Sequence, residues 1–382
     1  MPETHGTRLA EFASSLRNVG AIRSDAVEHA FASVARHRCV PQFRYGPKII
    51  TVPQNEQPGS EVLDIIYSHQ SLLTSTGQDG APPSSSSAPT LMARMLEALN
   101  LRPGMRVLEI GAGTGYNAAL IATITKAPVV TVDAGATTAQ GADDSIRRLG
   151  LDHQVTVLHG DGYLGEPNSA PYDRIIVTCG IVGLSPHWLD QLAPCGVILA
   201  PIAHGGVHPI LAVTNHDGTV SARARLWADF MPAAGPLRPA ELVGHDPADY
   251  VPPAPVTRIP DTSPARTMAA YHDLWFFLAT RDSRITRAYM DDDTVDPTKG
   301  ACALRTPRRG TAWVHTDGSI AATGDAAVAD ELRSLIHEWT ASGQAALTQF
   351  AAMFNPTDTE KPLWTPSRWT LAAMETAAHA IK

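Results

Sequence analysis

Glu109 stands two residues before Gly111 in RVLEIGAGTGYNAALIA, residues 106–122, and glycines recur at Gly113 and Gly115. Val107, Leu108 and Ile110 are apolar, which predicts a short buried strand over 106–110. The glycines after it predict a tight turn, and residues 116–122 a helix. A strand, a glycine turn and a helix expose backbone amides at the helix N-terminus, where a nucleotide-like ligand can approach closely. A dinucleotide fingerprint, G-x-G-x-x-G, seats a pyrophosphate, but here the third glycine comes one residue early. A carboxylate at Glu109 would also repel a pyrophosphate. It suits a cationic ligand.

The E-x-G-x-G-x-G pattern resembles motif I of the S-adenosylmethionine (SAM) methyltransferases, whose donor carries an amino group and a sulfonium. Downstream, 129–132 is an apolar strand that ends in Asp133. In a doubly wound sheet, the acid closing the second strand reaches the ribose hydroxyls of a nucleotide bound over the first. Residues 137–149 predict a helix closed by Gly150, and 155–158 a third strand, followed by HGDGYLGEP. By itself Asp161-Gly162 is an ordinary turn.

The elements that must position these groups begin upstream. Residues 7–40 read as helices, with Ser24 able to cap the second. The stretch AVEHAFASVARHRCVPQF, 26–43, resembles the N-terminal segment of protein-L-isoaspartate O-methyltransferases, with Ala35 where the first proline of their V-P-R phrase is usual. Residues 51–80 read as polar and turn-rich. Leu91, Met92, Met95, Leu96 and Leu99 then recur at helical spacing, predicting an amphipathic helix over 89–100. The serines before it, Ser84 to Ser87, admit two readings: an N-cap, or the S-x-P of the family's G-Q-T-I-S-x-P phrase, matched by Ser87 and Pro89. This chain departs from that phrase, with Gly77-Gln78 well upstream and Ser85-Ser86 in place of Thr-Ile, so its loop is longer and more polar. APYDRIIVTCG (170–180), QLAPCGVILAPI (191–202, Cys195 where glycine is usual) and ADFMPAAGPL (228–237, expected to be a closing strand) continue the resemblance over most of 20–235.

The resemblance implies a SAM-dependent carboxyl O-methyltransferase with a Rossmann-like doubly wound α/β sheet. It implies Ser87, with Ser86, as the residues that orient the acceptor carboxylate. Glu109, Gly111, Gly113, Gly115, Asn117, Asp133, Asp161 and Gly162 are implied as the donor site, with Asp161 beside the adenine. No metal is expected. His204 and His208 have a ligand-like spacing but sit among glycines and a proline, so a loop is expected there.

The chain of 382 residues carries a net charge of −8 without Lys/Arg clusters, which argues against a nucleic-acid partner. Its four cysteines form no C-x-x-C pair, so neither a zinc site nor a disulfide framework is indicated. No basic segment leads into an apolar run at the N-terminus, and a cytoplasmic location without membrane contact is expected. The expected organisation is a catalytic domain over 1–237, a proline-rich linker over 238–266 and an accessory α+β domain over 267–382. That domain is predicted to hold a strand over 311–315, a helix over 326–339 and an acidic turn at Asp291 to Asp293. Longer relatives that accompany lanthipeptide and graspetide (RiPP) maturation carry a C-terminal extension, and SSSSAPTLMARMLEAL (84–99) with motif I as VLEIGAGTGYNAAL (107–120) resembles those members more than housekeeping repair enzymes. This implies an aspartate of a ribosomally made, macrocyclised precursor as acceptor, with aspartimide or isoaspartate as product. General isoaspartyl repair, a small-molecule O-methyltransferase and a non-catalytic SAM- or peptide-binding subunit are the rival readings.

Overall fold

The structure is a computed structural model and describes residues 5–75, 84–243, 257–259, 266–289 and 300–371. Its main sheet is built from β1 (Val107–Ile110), β2 (Val129–Asp133), β3 (Val155–His159), β4 (Tyr172–Val177), β5 (Leu192–Pro201), β6 (Ile210–His216), β7 (Thr219–Leu226), β8 (Phe350–Pro356) and β9 (Trp364–Leu371). The spatial order is β9-β8-β7-β6-β5-β4-β1-β2-β3. β1 pairs in parallel with both β2 and β4, so the strand order reverses there. The crevice beyond the carboxyl ends of β1 and β4 is where such sheets bind ligands. From β6 to β9 the pairing is antiparallel.

A parallel sheet must be covered on both faces, and alternation along its strands sends neighbouring side chains to different cores. Val107, Val129, Ile176 and Leu199 pack with the N-terminal helices His5–Asn18 and Asp25–Ser33 and with the helices Pro89–Leu99 and Tyr116–Thr125. Leu108, Val130, Ile175, Val177 and Ile198 face the other way, onto Trp188, Tyr271, Leu274, Phe276, Phe277 and Trp339. The second face is therefore covered partly by residues beyond 267. These lie on the helices Met268–Arg281 and Ala326–Ala341, which accompany a five-stranded antiparallel sheet ordered Thr257–Ile259, Ile320–Gly324, Gly310–Val314, Ala301–Thr306, Ile285–Ala288.

This arrangement differs from a self-contained unit over 267–382. β8 adds to β7 through Ser221–Met353, Ala222–Ala352 and Arg223–Ala351, so residues 350–371 belong to the catalytic sheet. Phe350, Phe354 and Leu363 are buried in the core they share with β4 and β5. Within 238–266, Thr257–Ile259 pairs with Ile320–Gly324, and 244–256 and 260–265 lie outside the described residues, as do Asp291 to Asp293.

Other expectations divide in the same physical way. The helices over 89–100, 137–149 and 326–339 form as Pro89–Leu99, Ala136–Leu149 and Ala326–Ala341, and Gly150 closes the second at φ +71°. Residues 51–80 are not simply turns: they hold the helix Ser60–Ile66 and the strand Leu72–Ser75. Nor is 228–237 a strand. It makes an isolated bridge between Pro232 and Gly180 and then a 3-10 turn, Gly235–Leu237.

Candidate donor and acceptor site

All four residues of β1 are buried, and the chain leaves the strand through Gly111 at φ +98°. A Cβ there would lie 2.4 Å from Thr178 Oγ1, so the turn packs against the end of β4 only as glycine. The Thr178 hydroxyl donates to the carbonyls of Ile110 (3.0 Å) and Gly111 (2.6 Å), fastening the two strand ends together.

Glu109 is fully buried. Asn117 Nδ2 donates to its Oε1 at 2.7 Å and Thr131 Oγ1 to its Oε2 at 2.6 Å. Burial pushes this carboxyl up to about 7; the bonds from Thr131 and Asn117 pull it back, and the nearby Asp133 adds to the rise. Asp133, at the end of β2, accepts from Gly113 N (3.1 Å) and Gly135 N (2.9 Å), which holds it over the glycine turn. Asp161 follows β3. Its Oδ1 accepts from Tyr163 N at 3.0 Å and caps the turn Gly162–Leu164. A Cβ on Gly162 would come within 2.8 Å of Ile110 Cγ2, so the carboxylate approaches the end of β1 because its neighbour is small.

The serine loop closes the opposite side. Ser84–Ser86 is a short strand paired with Leu72–Ser75. The helix Pro89–Leu99 is capped by Ala88, without a side-chain bond, so N-capping does not account for the serines. Ser86 is buried, and its hydroxyl accepts from Arg36 Nε at 3.3 Å. Ser87 is half-buried on the cavity wall.

One cavity thus collects Ser86, Ser87, Glu109, Gly111, Gly113, Asn117, Asp133, Asp161 and Gly162. Gly115 is not on its wall. That residue starts the helix Tyr116–Thr125 at φ +76°, and a Cβ on it would stand 3.0 Å from the Ala142 carbonyl, so it serves helix packing. The residues that sequence reasoning missed include Thr178, Phe230, Met231, Pro232 and Leu237, which form part of the wall, and Arg36, which braces it from behind. Arg36 lay within the V-A-R phrase, but nothing in the residue pattern told of its burial.

Glu109, Asp133 and Asp161 face this cavity, and among the described residues no lysine, arginine or histidine lines it. The donor set therefore fits a cation bearing a ribose and a base, as SAM does. Among the described residues no group of three or more His, Cys, Asp and Glu could hold a metal. His204 and His208 sit in a loop. The first packs at a tilt against Phe276 and Trp369, and the second meets Asp229 at 3.0 Å through Nδ1. No helix among the described residues is long and apolar enough to cross a membrane.

The model of the protein-L-isoaspartate(D-aspartate) O-methyltransferase family matches residues 8–237. The chain belongs to this family. It is a SAM-dependent carboxyl O-methyltransferase, and the family match covers every residue that lines the cavity. Protein-L-isoaspartate O-methyltransferase of Methanopyrus kandleri is 34% identical over 223 residues, covering 58% of this chain and 88% of its own. That of Hyperthermus butylicus is 34% identical over 227 residues, covering 56% and 84%. A solved protein-L-isoaspartate O-methyltransferase, 25% identical with a TM-score of 0.54, covers 94% of this chain and 98% of its own. The long C-terminal segment therefore does not separate this chain from proteins bearing the isoaspartyl methyltransferase name, and it lends no weight to the resemblance to RiPP maturation enzymes.

Proposed function

We propose that this methyltransferase esterifies the side-chain carboxylate of an isoaspartyl or aspartyl residue held in a peptide, with Ser87 orienting the acceptor. The observation that carries this reading is the single cavity that joins the serine loop to Glu109, Asp133 and Asp161. When bound, SAM supplies a methyl already activated by its sulfonium. Asp133 suits the ribose hydroxyls, Asp161 the adenine amine, and Glu109 with Asn117 the cationic end. An acceptor carboxylate is ionised at neutral pH and attacks without a general base, so the chain's task is alignment and exclusion of water. Met92, Phe230, Met231 and Leu237 give the cavity its apolar wall. The Ser87 hydroxyl, half-buried beside them, can donate to one carboxylate oxygen and leave the other facing the methyl.

A second reading narrows the acceptor to an aspartate of a ribosomally made, macrocyclised precursor, whose methyl ester would close to an aspartimide and open to isoaspartate. The four consecutive serines favour it, because they make the wall more polar where the family phrase has Thr-Ile-Ser. The deciding experiment is a mass-resolved methylation assay offering an isoaspartyl peptide and the precursor peptide encoded nearby, in linear and macrocyclised forms. Methylation of the isoaspartyl peptide alone supports the first reading, and methylation of the cyclised precursor alone supports the second. A chain that binds SAM and methylates nothing is a binding subunit, and both readings fail. Ser87→Ala should raise the acceptor KM about tenfold, the loss of one hydrogen bond to a charged group, with SAM affinity unchanged.

A further inference from the structure

The cavity presents a problem of charge. Its three carboxylates suit a cationic donor, yet the acceptor is itself an anion, and among the described residues the wall offers it no basic side chain. The nearest structural answer lies one layer deeper. Arg36 is fully buried, and among the described residues its guanidinium bonds to neutral oxygens alone. Nη1 donates to the carbonyls of Ile66 (2.6 Å) and Ser68 (3.4 Å), and Nη2 to those of Gln70 (3.2 Å), Ser86 (3.3 Å) and Ser87 (3.0 Å). Nε donates to the Ser86 hydroxyl at 3.3 Å. The fork thereby ties the end of the helix Ser60–Ile66, the turn after it and the serine loop to one point.

The groups whose charge bears on Arg36 are Tyr116, Tyr67 and Cys39. Burial raises all three, the Cys39 thiol to about 12, so none is an anion at neutral pH. Burial also draws Arg36 down, to about 10, which leaves it protonated. A positive charge with no anionic partner among the described residues thus sits directly beneath Ser86 and Ser87. Removing such a charge from water is costly, and here six neutral acceptors are arranged to hold it.

We propose that Arg36 is a positioning and specificity-determining residue for methyl transfer: it fixes the serine loop through its carbonyls and lends the acceptor wall the positive potential that draws in a carboxylate. The inference rests on the acceptor reading above. Arg36 touches neither substrate, so its role is exerted through Ser86 and Ser87.

The test compares the wild-type chain, Arg36→Lys and Arg36→Gln. Each is offered a short isoaspartyl peptide and, as an unreactive competitor, the same peptide with the carboxyl replaced by a carboxamide. Donor-site integrity is read separately as the affinity for S-adenosylhomocysteine. The wild type should bind the carboxylate peptide about tenfold more tightly than the carboxamide, a charge-assisted preference. Arg36→Lys should keep that preference while kcat falls about tenfold, because an ammonium cannot brace both serine carbonyls and the Ser86 hydroxyl in one plane. Arg36→Gln should lose the preference and raise the acceptor KM, with S-adenosylhomocysteine affinity within about threefold of wild type. The proposal is overturned if Arg36→Gln keeps the preference, or if donor and acceptor affinities fall in step, as a general loosening would produce. Should Arg36→Gln fail to fold, a wild type without preference, or an Arg36→Lys with unchanged kcat, overturns it as well. A wild type that methylates no peptide refutes the acceptor reading instead, and its binding preference still decides the role of Arg36.

Discussion

Replacing Glu109 by glutamine tests the electrostatics of the donor site in isolation. The carboxyl is fully buried and its pKa rises from an ordinary 4.5 to about 7. Because the folded chain holds the proton more tightly than the unfolded chain, stability should fall as pH rises from 4.5 to about 7 and stay low above it. At about 1.4 kcal/mol for each tenfold in proton affinity, that loss amounts to about 3 kcal/mol. Glutamine has the same shape, carries no proton to lose, and can still meet Asn117 and Thr131, since a hydroxyl either donates or accepts. Urea denaturation of both proteins at a series of pH values isolates the difference, because every other titrating group is common to the pair. The wild-type curve should decline relative to the variant through this range, leaving Glu109→Gln more stable by about 3 kcal/mol at pH 8, while its SAM affinity drops at least about tenfold for want of the anion. Parallel stability curves would refute the claim that Glu109 is held against its own burial. An unchanged SAM affinity would remove it from the donor site.

Asp133→Asn should weaken SAM binding about tenfold in calorimetry with little change in stability, since the amide oxygen can still accept from Gly113 or Gly135. Gly115→Ala should destabilise by about 2 kcal/mol or more in urea, because its backbone is left-handed and the Ala142 carbonyl standing in the way is main chain. Ending the chain after residue 237 should abolish soluble enzyme, not spare generic activity. Phe350, Phe354 and Leu363 alone bury apolar surface worth about 5–9 kcal/mol, and soluble, active protein from that truncation would contradict the shared core. His204, packed between Phe276 and Trp369, has a pKa pushed down to about 4 by burial. The folded chain therefore binds fewer protons there, and stability should fall as pH drops from 6.5 towards 4. His204→Leu should flatten that acid limb in thermal scans.

The parts of the candidate site that lie on contiguous elements have a local signature in residue order. Glu109, the glycine turn and Asp133 lie at the ends of two adjacent parallel strands, and strand alternation with glycine spacing carries that information locally. Ser87 was reachable only through resemblance. Its alternative reading as an N-cap fails because Pro89 starts the helix one residue too late, which leaves the cap to Ala88. The helix Ser60–Ile66 escaped notice because it is seven residues long, too short for its two buried positions, Leu63 and Ile66, to show a period. Arg36 and β8–β9 were invisible for a different reason. A buried arginine satisfied by carbonyls, and a strand that pairs with another more than 120 residues earlier, depend on contacts that no local pattern records.

That long-range pairing has a consequence for how the chain is made. As synthesis proceeds from the N-terminus, every described residue that lines the candidate donor cavity has emerged once Leu237 is free of the ribosome. The edge of β7 still waits for β8, more than a hundred residues behind. During that interval the nascent chain carries an open strand edge beside a face that lacks Phe276, Phe277 and Trp339. An unpaired edge of that kind is the usual point of misassembly in slow-folding sheets. The catalytic half is therefore complete in sequence well before it is complete in structure, and chaperone demand should peak over the synthesis of residues 238–350.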